Sequence, residues 1–561
     1  MKRRLTSRVR LLLALMGLLL LVAGDPAQIE AAALKVQRVL RLARPTDPQT
    51  LDPALVFMAG DVILMPLLNL PLLDVVEGTN LVPCAAVDWV RSADARIYTF
   101  LLRSELKFSN GRPVVATDYA YALERMLAPQ TASPLSAYFA GIRGAREFVN
   151  ACKTERHGQE PLKAGDPPRA GHGSGTAHVA GINAMSPDKL VIELEQPDPT
   201  FAYVLAILFA AQPREEVERP GGRFSVRPVG SGPYVVAEWT RGVRLVLTPN
   251  PHDAGRLPRH FDRIEIMIGG DVSTHLMMFE RGELDIADIE WFTLPIADHR
   301  RITHHSRWRP YLEESRVEYT VYVVLNTEMP PLDHLEVRQA LNYAVNKPRC
   351  VRTTNGRVEP ATGILPPFVP GCNSNLVGYP YDPEKAKALL VGSGMAQPIW
   401  LTLWHPRDFE LAMVAQGIQS DLHGIGVEVE LKEVTSSELN SAIMIRGKVP
   451  MALTGWISIM PDPKDLLSSL FDGRTITNTP TTDYAFYNNP EVNRLLDEAA
   501  TNVILSARYA LYQRAEEIIV RDAPFVFLGY PKVFALKQPW IKGRLIEPLW
   551  PFRLDRVWRE P

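Results

Sequence analysis

The chain has 561 residues, of which 46% are hydrophobic and 22% are charged, and its formal net charge is −2. That length exceeds what a single hydrophobic core supports, so we expect two or three domains. The composition is that of a globular protein and excludes an intrinsically disordered one. The nearly neutral charge gives no indication of a nucleic acid or an anionic membrane surface as a partner.

Residues 1–33 have the pattern of a secretory signal peptide. Five basic residues between positions 2 and 10 precede an apolar run over residues 11–24. The run is shorter than the roughly 20 residues that a membrane-spanning helix needs, which favours a cleaved signal over an anchor helix. The first cysteine, Cys84, lies far beyond the run, so a lipid-anchored lipoprotein is not expected.

The four cysteines are Cys84, Cys152, Cys350 and Cys372. In the oxidising compartment to which a signal peptide leads, they could pair in three complete ways. Cys350 with Cys372 closes the shortest loop and is the favoured pair, while free buried thiols remain the alternative. None of the four lies in a C-x-x-C spacing, so neither zinc nor thioredoxin-like chemistry is indicated.

Short β-like runs and helical patterns alternate along the chain, which predicts a mixed α/β protein. The predicted elements are, in chain order, a strand over residues 98–102, a helix that starts at Thr117 with that residue as its cap, strands over 191–195 and 319–325, a helix over 337–345, two helical stretches over 490–519, and a strand around 526–528. Residues 153–178 are poor in apolar side chains and rich in Gly, Pro, Lys and His, which predicts a long surface loop.

Short motifs follow one another across most of the chain. They are Leu51-Asp52-Pro53, Lys107-Phe108-Ser109-Asn110-Gly111, Ser231-Gly232-Pro233-Tyr234, Gly282-Glu283-Leu284-Asp285, Val337-Arg338-Gln339-Ala340-Leu341, Tyr381-Asp382-Pro383-Glu384-Lys385-Ala386-Lys387, and Gly455-Trp456 with Pro461-Asp462-Pro463. Several also have a local structural reading, such as a helix N-cap at Asp382 followed by proline. In this order the motifs resemble the extracytoplasmic solute-binding proteins of the oligopeptide, dipeptide and nickel ABC importers, solute-binding protein family 5.

The resemblance implies an α/β, two-lobed periplasmic-binding-protein fold with an extra subdomain inserted in the first lobe. It divides lobe I into three segments, residues 34–72, 178–270 and 522–561. The inserted subdomain takes residues 73–177, and lobe II takes residues 271–521. It also implies a monomeric periplasmic protein that captures a peptide or related solute between closing lobes. Such a protein delivers its ligand to permease subunits driven by cytoplasmic ATPases, with no cofactor and no catalytic step.

The resemblance also implies where the ligand binds. The positions that correspond to ligand contacts are Phe57, Met58, Ala59, Gly455, Trp456, Ile459 and Met460. Trp404 is added as a candidate because a large flat side chain with one N–H donor suits the wall of a ligand cleft. Peptide-binding members hold the peptide ammonium with the Asp of a G-W-x-x-D-Y motif, where this chain has Ile459. We hypothesise that the pocket lacks this anchor and prefers a less cationic, partly apolar ligand. A local shift of the alignment, or a carboxylate supplied by Asp462 or Asp465, is the alternative.

Other functional classes find less support in the sequence. It contains no H-E-x-x-H motif, P-loop or G-x-S-x-G elbow, so no catalytic residues are assigned and an exported hydrolase is disfavoured. A metal-chelate-binding member of the same family would use the tract with His299, His304 and His305. Adjacent histidines rarely point the same way, however, and the neighbouring arginines would repel a cation. A sensing or chaperone-like role without transport stays open.

The hypothesis about Ile459 predicts the effect of one substitution. Ile459→Asp would place a carboxylate where peptide-binding members have one, so we expect it to create binding of free-amine peptides or strengthen it by roughly 10-fold or more. Isothermal titration with trialanine measures this. Tight binding of trialanine by the unmodified protein would contradict the hypothesis.

Overall fold

A computed structural model of the chain describes most of its length. The described residues are 38–155, 178–255, 260–289, 294–476, 481–548 and 552–560. The predicted signal peptide lies outside them, as does the predicted surface loop over 153–178 apart from its two ends. Within these ranges, no helix combines the length and the hydropathy that a membrane span requires.

Strands and helices alternate along the chain, as the sequence predicts. The first half contains β1 (Val39–Arg44), α1 (Ala59–Val62), α2 (Met65–Leu68), β2 (Leu73–Val76), β3 (Asn80–Pro83), β4 (Ala86–Arg91), β5 (Ile97–Leu102), α3 (Ala116–Leu127), α4 (Ser136–Phe139), α5 (Ala145–Glu155), β6 (Ile182–Ser186), β7 (Lys189–Glu193), α6 (Phe201–Ile207), α7 (Arg214–Val217), β8 (Tyr234–Thr240), β9 (Arg244–Pro249), β10 (Arg263–Ile268) and α8 (Val272–Glu280).

The second half continues the alternation and ends in a long strand and two short ones. It contains α9 (Ile296–His304), β11 (Leu312–Arg316), β12 (Tyr319–Leu325), α10 (Leu335–Ala344), α11 (Lys347–Thr353), β13 (Val358–Pro360), α12 (Pro383–Gly392), β14 (Ile399–Pro406), α13 (Phe409–His423), β15 (Val427–Val434), α14 (Ser436–Ile443), β16 (Met451–Ile457), α15 (Pro463–Phe471), α16 (Pro490–Thr501), α17 (Leu505–Asp522), β17 (Phe525–Leu536), β18 (Ile541–Lys542) and β19 (Trp558–Arg559).

These elements confirm the predicted strands at β5, β7, β12 and β17 and the predicted helices at α10, α16 and α17. The predicted cap at Thr117 is wrong. Helix α3 begins one residue earlier, with Val115 as its N-cap residue. The carboxylate of Asp118 accepts a hydrogen bond from the N–H of Val115 at 2.9 Å, so an acidic side chain in the first turn holds the helix start instead of a hydroxyl.

All four cysteines are free thiols, so the favoured Cys350–Cys372 pair is wrong. The two residues belong to different hydrophobic cores: Cys350 is buried with Val414 and Leu528, and Cys372 packs against the core that contains Leu365. Burial raises the pKa of Cys350 to about 11, which keeps the thiol protonated and unreactive.

Three larger sheets organise the described residues. Strands β1, β10, β9 and β8 pair in that order and form the first sheet. Strands β11, β17, β12, β16, β14 and β15 pair in that order and form the large sheet, with β13 added on β17. The third sheet has the order β4, β5, β7 and β6, and the hairpins β2–β3 and β18–β19 stand apart. The first and large sheets each carry a hydrophobic core, as a two-lobed protein requires.

Strand β17 joins these two cores. Phe527 and Leu528, near its start, lie in cores that pack on the large sheet. Val533 and Ala535, near its end, lie in the core of the first sheet. All of its 12 residues are buried except Lys532, which is half-buried. Strands β11 and β12 pair alongside it, so the lobes are connected by crossing strands that both cores hold in place.

The third sheet has a core of its own. Helices α3 and α6 pack on it, and Tyr98 of β5 stacks at a tilt against Phe201 with ring centroids 5.4 Å apart. Strands β6 and β7 complete this sheet, since Tyr98 pairs with Ile192. The third sheet therefore contains strands from both sides of residue 177, where the resemblance ends the inserted subdomain. The division into lobes stays a prediction, and we call the body built on the third sheet the insert.

A buried ion pair anchors the loop that follows β16. Asp462 caps α15 by accepting from the N–H of Lys464 at 2.9 Å. Its carboxylate also accepts two hydrogen bonds from the guanidinium of Arg508 in α17, at 2.6 and 3.1 Å. The side chain of Arg508 is 1% exposed, and its remaining donors reach the carbonyl oxygens of Ala499 and Ala500. Because the Asp462–Arg508 pair is buried and its groups are hydrogen-bonded, it fixes the position of the loop between β16 and α15.

We expect Arg508→Leu to destabilise the protein strongly. The substitution leaves the Asp462 carboxylate buried without its partner, which costs about 3–5 kcal/mol in free energy of unfolding. Arg514→Leu is the matched control, because Arg514 lies on the same helix with its side chain 62% exposed. Urea unfolding followed by circular dichroism compares the two. Equal midpoints for the two variants would show that the Asp462–Arg508 pair does not hold the fold.

Candidate ligand-binding site

The carboxyl ends of two neighbouring strands define one edge of the large sheet. Strands β14 and β16 are parallel, with Leu403 opposite Met451. They end at Pro406 and Ile457, so the loops that follow them leave the sheet at the same edge. Strand β12 is antiparallel to β16 and begins there at Tyr319. Clefts outside the carboxyl ends of parallel strands are common ligand sites in α/β proteins.

A cavity of about 230 Å³ opens at this edge. Its walls come from five segments of the chain. These are Val321 of β12; Cys350 of α11 with Thr354 and Val358 after it; Pro406 at the end of β14 with Asp408, Glu410, Leu411 and Val414 after it; Ser436 of α14; and Leu528, Gly529 and Pro531 of β17. Beside the cavity, the buried Arg357 guanidinium is paired with the Glu410 carboxylate. The walls are therefore mostly apolar with a few charged groups, as in many small-molecule sites.

Gly455 pairs in the sheet with Val321, which lines the cavity. A Cβ at position 455 would lie 2.6–2.7 Å from the Tyr319 ring, so only glycine allows the ring to pack flat on the strand. Burial, with the nearby Asp408 carboxylate as a smaller cause, raises the pKa of Tyr319 to about 12. The Tyr319 hydroxyl therefore stays protonated.

The loop between β16 and α15 contacts the insert directly. The side chain of Met460 is buried in the insert's own hydrophobic core, and Ile459 packs against that core. The Lys464 ammonium and the Asp198 carboxylate are 2.5 Å apart across the contact. The hydroxyl of Tyr138, in the insert, donates to the Asp465 carboxylate at 3.4 Å. The structure is thus closed, with the insert seated on the carboxyl edge of the large sheet.

Asp465 lies at the centre of this contact. It accepts from the N–H of Ile459 at 3.0 Å and from the indole N–H of Trp456 at 3.4 Å. Burial raises the pKa of Asp465, and these hydrogen bonds offset part of the effect. Of the two carboxylates that the sequence left open as replacements for an Asp at 459, Asp462 is held by Arg508, and Asp465 is the one at the contact.

The other predicted ligand contacts have mixed surroundings. Phe57 and Met58 are 47% and 45% exposed in the turn before α1, which begins with Ala59. Trp404 is buried in a core of the large sheet, with the Lys432 ammonium 3.5 Å from its ring centroid. Gly455, Trp456, Ile459 and Met460 share one strand end and loop. Ligand contact stays a prediction for all of these residues, and the contacts of Trp404 are those of a core side chain.

Several groups at the contact could not be found from the sequence. Tyr138, Asp198 and Tyr203 come from the insert, more than 250 residues before the loop that they meet, and none of them belongs to a motif. Glu318 offered one signal, since it is an acidic residue directly before the apolar run of β12. The structure buries this residue, at 3% exposure.

The chain belongs to the bacterial extracellular solute-binding proteins, family 5, whose sequence model matches residues 80–478. This confirms the resemblance on which the two-lobed expectation rests. The fold agrees, because solved structures of peptide-binding proteins of this class superpose over nearly the whole chain.

Two related sequences match this chain over most of their length. The probable D,D-dipeptide-binding periplasmic protein of Escherichia coli is 25% identical and covers 98% of each chain. Heme-binding protein A of Haemophilus influenzae is 26% identical, over 84% of this chain and 82% of its own. Among solved structures, the murein tripeptide binding protein of Escherichia coli is 22% identical and matches with a TM-score of 0.77 over 94% of this chain and 99% of its own.

The Lys464–Asp198 ion pair should favour the closed form. Both side chains are about one-quarter exposed, so we expect a contribution of about 1 kcal/mol, or roughly a five-fold change in the ratio of open to closed molecules. Lys464→Met should shift the population towards the open form, and Lys464→Arg, which keeps the charge, should not. Small-angle X-ray scattering without ligand measures this as a larger radius of gyration. An unchanged radius in Lys464→Met would refute the role of the pair.

Proposed function

We propose that the protein is the solute-capturing component of an ABC importer. In this function it is exported to the periplasm, binds one peptide or related small organic solute between its lobes, and delivers it to a membrane permease. The observation that supports the proposal is the contact between the insert and the carboxyl edge of the large sheet. The membership of the chain in family 5 agrees with it. Two bodies that meet over buried charged groups, and are joined by strands, can enclose a solute by a hinge motion.

The relatives support a peptide or a similar solute. Their names give a D,D-dipeptide, di- and tripeptides, a murein peptide, glutathione and heme as ligands. Most of these ligands are short peptides with polar ends, although heme shows that the same fold can hold a large apolar molecule. The mostly apolar cavity with Asp408, Glu410 and Arg357 near its rim is compatible with a solute of mixed character.

The metal-chelate alternative gains no support from the geometry. His299 is buried with its ring 4.7 Å from that of Phe534, and burial lowers its pKa to about 4. His304 and His305 are engaged with neighbouring hydroxyl and backbone groups. In the part of the chain that the structure describes, no group of three or more metal-ligating side chains is placed to hold an ion.

A thermal-shift screen of the purified protein tests the proposal. The panel contains di- and tripeptides, D-alanyl-D-alanine, glutathione, hemin and nickel, each at a hundredfold over a micromolar dissociation constant. A bound solute should add about 2.7 kcal/mol to the free energy of unfolding, which is visible as a higher melting temperature. Isothermal titration then confirms one site per chain.

The possible outcomes separate the functional classes. A shift with one or more organic solutes supports solute capture and identifies the class of ligand. A shift with nickel alone would replace the proposal by the metal-binding alternative. No shift with any member of the panel would contradict solute capture of this kind.

A further inference from the structure

The outer face of the third sheet is apolar and exposed. Alternate side chains of β5 point into the insert's core, and these are Tyr98, Phe100 and Leu102. Its other side chains therefore point away from that core. On this outer face Ile97 and Leu101 are each 42% exposed, and Val90 of the neighbouring strand β4 is 61% exposed. These exposures leave the face open to solvent.

The register of the sheet orders this face into three rows that run across the strands. The middle row contains Val90, Thr99, Val191 and Asn183. The row on one side of it contains Asp88, Leu101, Lys189 and Ser186, and the row on the other side contains Ile97 and Glu193. The apolar centre is thus flanked by a lysine and a glutamate of the same strand, β7.

The two edges of the sheet are poorly suited to pairing with a further strand. The register is interrupted between Ala86 and Asp88 in β4 and between Ala184 and Ser186 in β6. Interruptions of this kind twist an edge strand and hinder the addition of another strand. A partner of this sheet is therefore accommodated on its face and not along its edges.

A second copy of the chain is complementary to this face in one orientation. Two identical sheets can pack face to face, nearly aligned, about a two-fold axis that runs along the middle row. Each middle-row residue then meets its own counterpart, so Val90 and Val191 make apolar contacts. The two outer rows meet each other, which places Leu101 opposite Ile97 of the second copy and Lys189 opposite Glu193 of the second copy.

The other possible two-fold axis, along the strands, fits less well. It would place Lys189 opposite Leu101 and Glu193 opposite Ile97, so that charged groups would be buried against apolar ones. In the single chain, Lys189 has no ion-pair partner among the described residues, and Glu193 is paired with Arg143 at 2.9 Å. Only the axis along the middle row gives Lys189 an acidic partner.

We propose that two copies of the chain associate through the outer faces of their inserts, about a two-fold axis along the row of Val90, Thr99 and Val191. The resemblance implies a monomer, whereas this face supports a dimer. Ile459 and Met460 contact the core on the other side of the sheet, so the association leaves the contact between the insert and the large sheet uncovered. Each copy can therefore take up a solute by itself, and the dimer goes beyond the proposed function.

The size of the face predicts a weak dimer. Four strands about 4.8 Å apart and three rows about 7 Å apart cover roughly 400 Å² on each copy. The two copies together would bury roughly 800 Å², which is less than the roughly 1,200 Å² at which stable specific interfaces begin. We therefore expect a dissociation constant on the order of 100 μM, so that the dimer forms only at high concentration.

Sedimentation velocity of the purified protein, at concentrations between about 10 and 500 μM, tests the proposal. We expect the average sedimentation coefficient to rise with concentration towards that of a dimer. Leu101→Asp puts a carboxylate opposite Ile97 of the second copy, so it should weaken association by roughly 100-fold and remove the rise. Val391→Asp is the matched control, because Val391 is an exposed apolar residue of α12, outside the insert, and it should associate as the wild type does. Circular dichroism confirms that each variant is folded.

An exchange of charges tests the orientation of the two copies. Lys189→Glu and Glu193→Lys each bring like charges together twice in the dimer, once on either side of the axis, so each should weaken association by roughly 10-fold. The double variant restores opposite charges and should recover the wild-type affinity to within about three-fold. Lys448→Glu, at an exposed lysine outside the insert, controls for the change in net charge.

The outcomes decide between this dimer and other uses of the face. A sedimentation coefficient that does not change with concentration would overturn the dimer, and so would a dimer that Leu101→Asp leaves intact. Failure of the double charge variant to recover affinity would overturn the axis along the middle row. Monomeric protein that co-sediments with phosphatidylglycerol vesicles, but not as Leu101→Asp, would assign the face to a lipid surface instead. Solute capture is tested separately by the thermal-shift screen and stands or falls independently.

Discussion

The burial of one strand in two hydrophobic cores determines how the rest of the molecule is arranged. Strand β17 begins in a core of the large sheet and ends in the core of the first sheet, so each of the two cores buries part of the same strand. Strand β12 pairs with its first half and β11 with its second. Gly529 of β17 and Val321 of β12 also line the cavity. The strands that connect the two cores therefore form part of the wall of the candidate site.

The closed contact combines favourable packing with an electrostatic cost. Met460 and Ile459 bury apolar surface against the insert, and the Lys464–Asp198 pair adds a direct attraction. Against this, the carboxyl groups of Glu318 and Asp465 are buried, and burial raises the pKa of both. A ligand drives closure only if it interacts more favourably with the closed form than with the open form.

The motif around Gly455 shows how far sequence reasoning reached into the site. The resemblance grouped Gly455, Trp456, Ile459 and Met460 as ligand contacts, and the structure has them at the end of β16 and in the loop that follows it. It also raised Asp465 as an alternative source of negative charge. It could not choose between Asp462 and Asp465, because that choice depends on Arg508, which lies some 45 residues later and pairs with only one of them. Trp404 was chosen for its residue type, and its surroundings are those of the core.

The sequence by itself determined the family, the mixed α/β class and most of the elements, because hydrophobic periodicity and turn residues act locally and the motifs recur in order. Only the tertiary structure decided which side chains meet. The thiols of Cys350 and Cys372 are separated because their segments pack in different cores. Tyr138 and Asp465 meet because the insert contacts the large sheet. Contacts between segments more than a hundred residues apart leave no periodic trace in a single sequence, so the chemistry of the site appeared only with the fold.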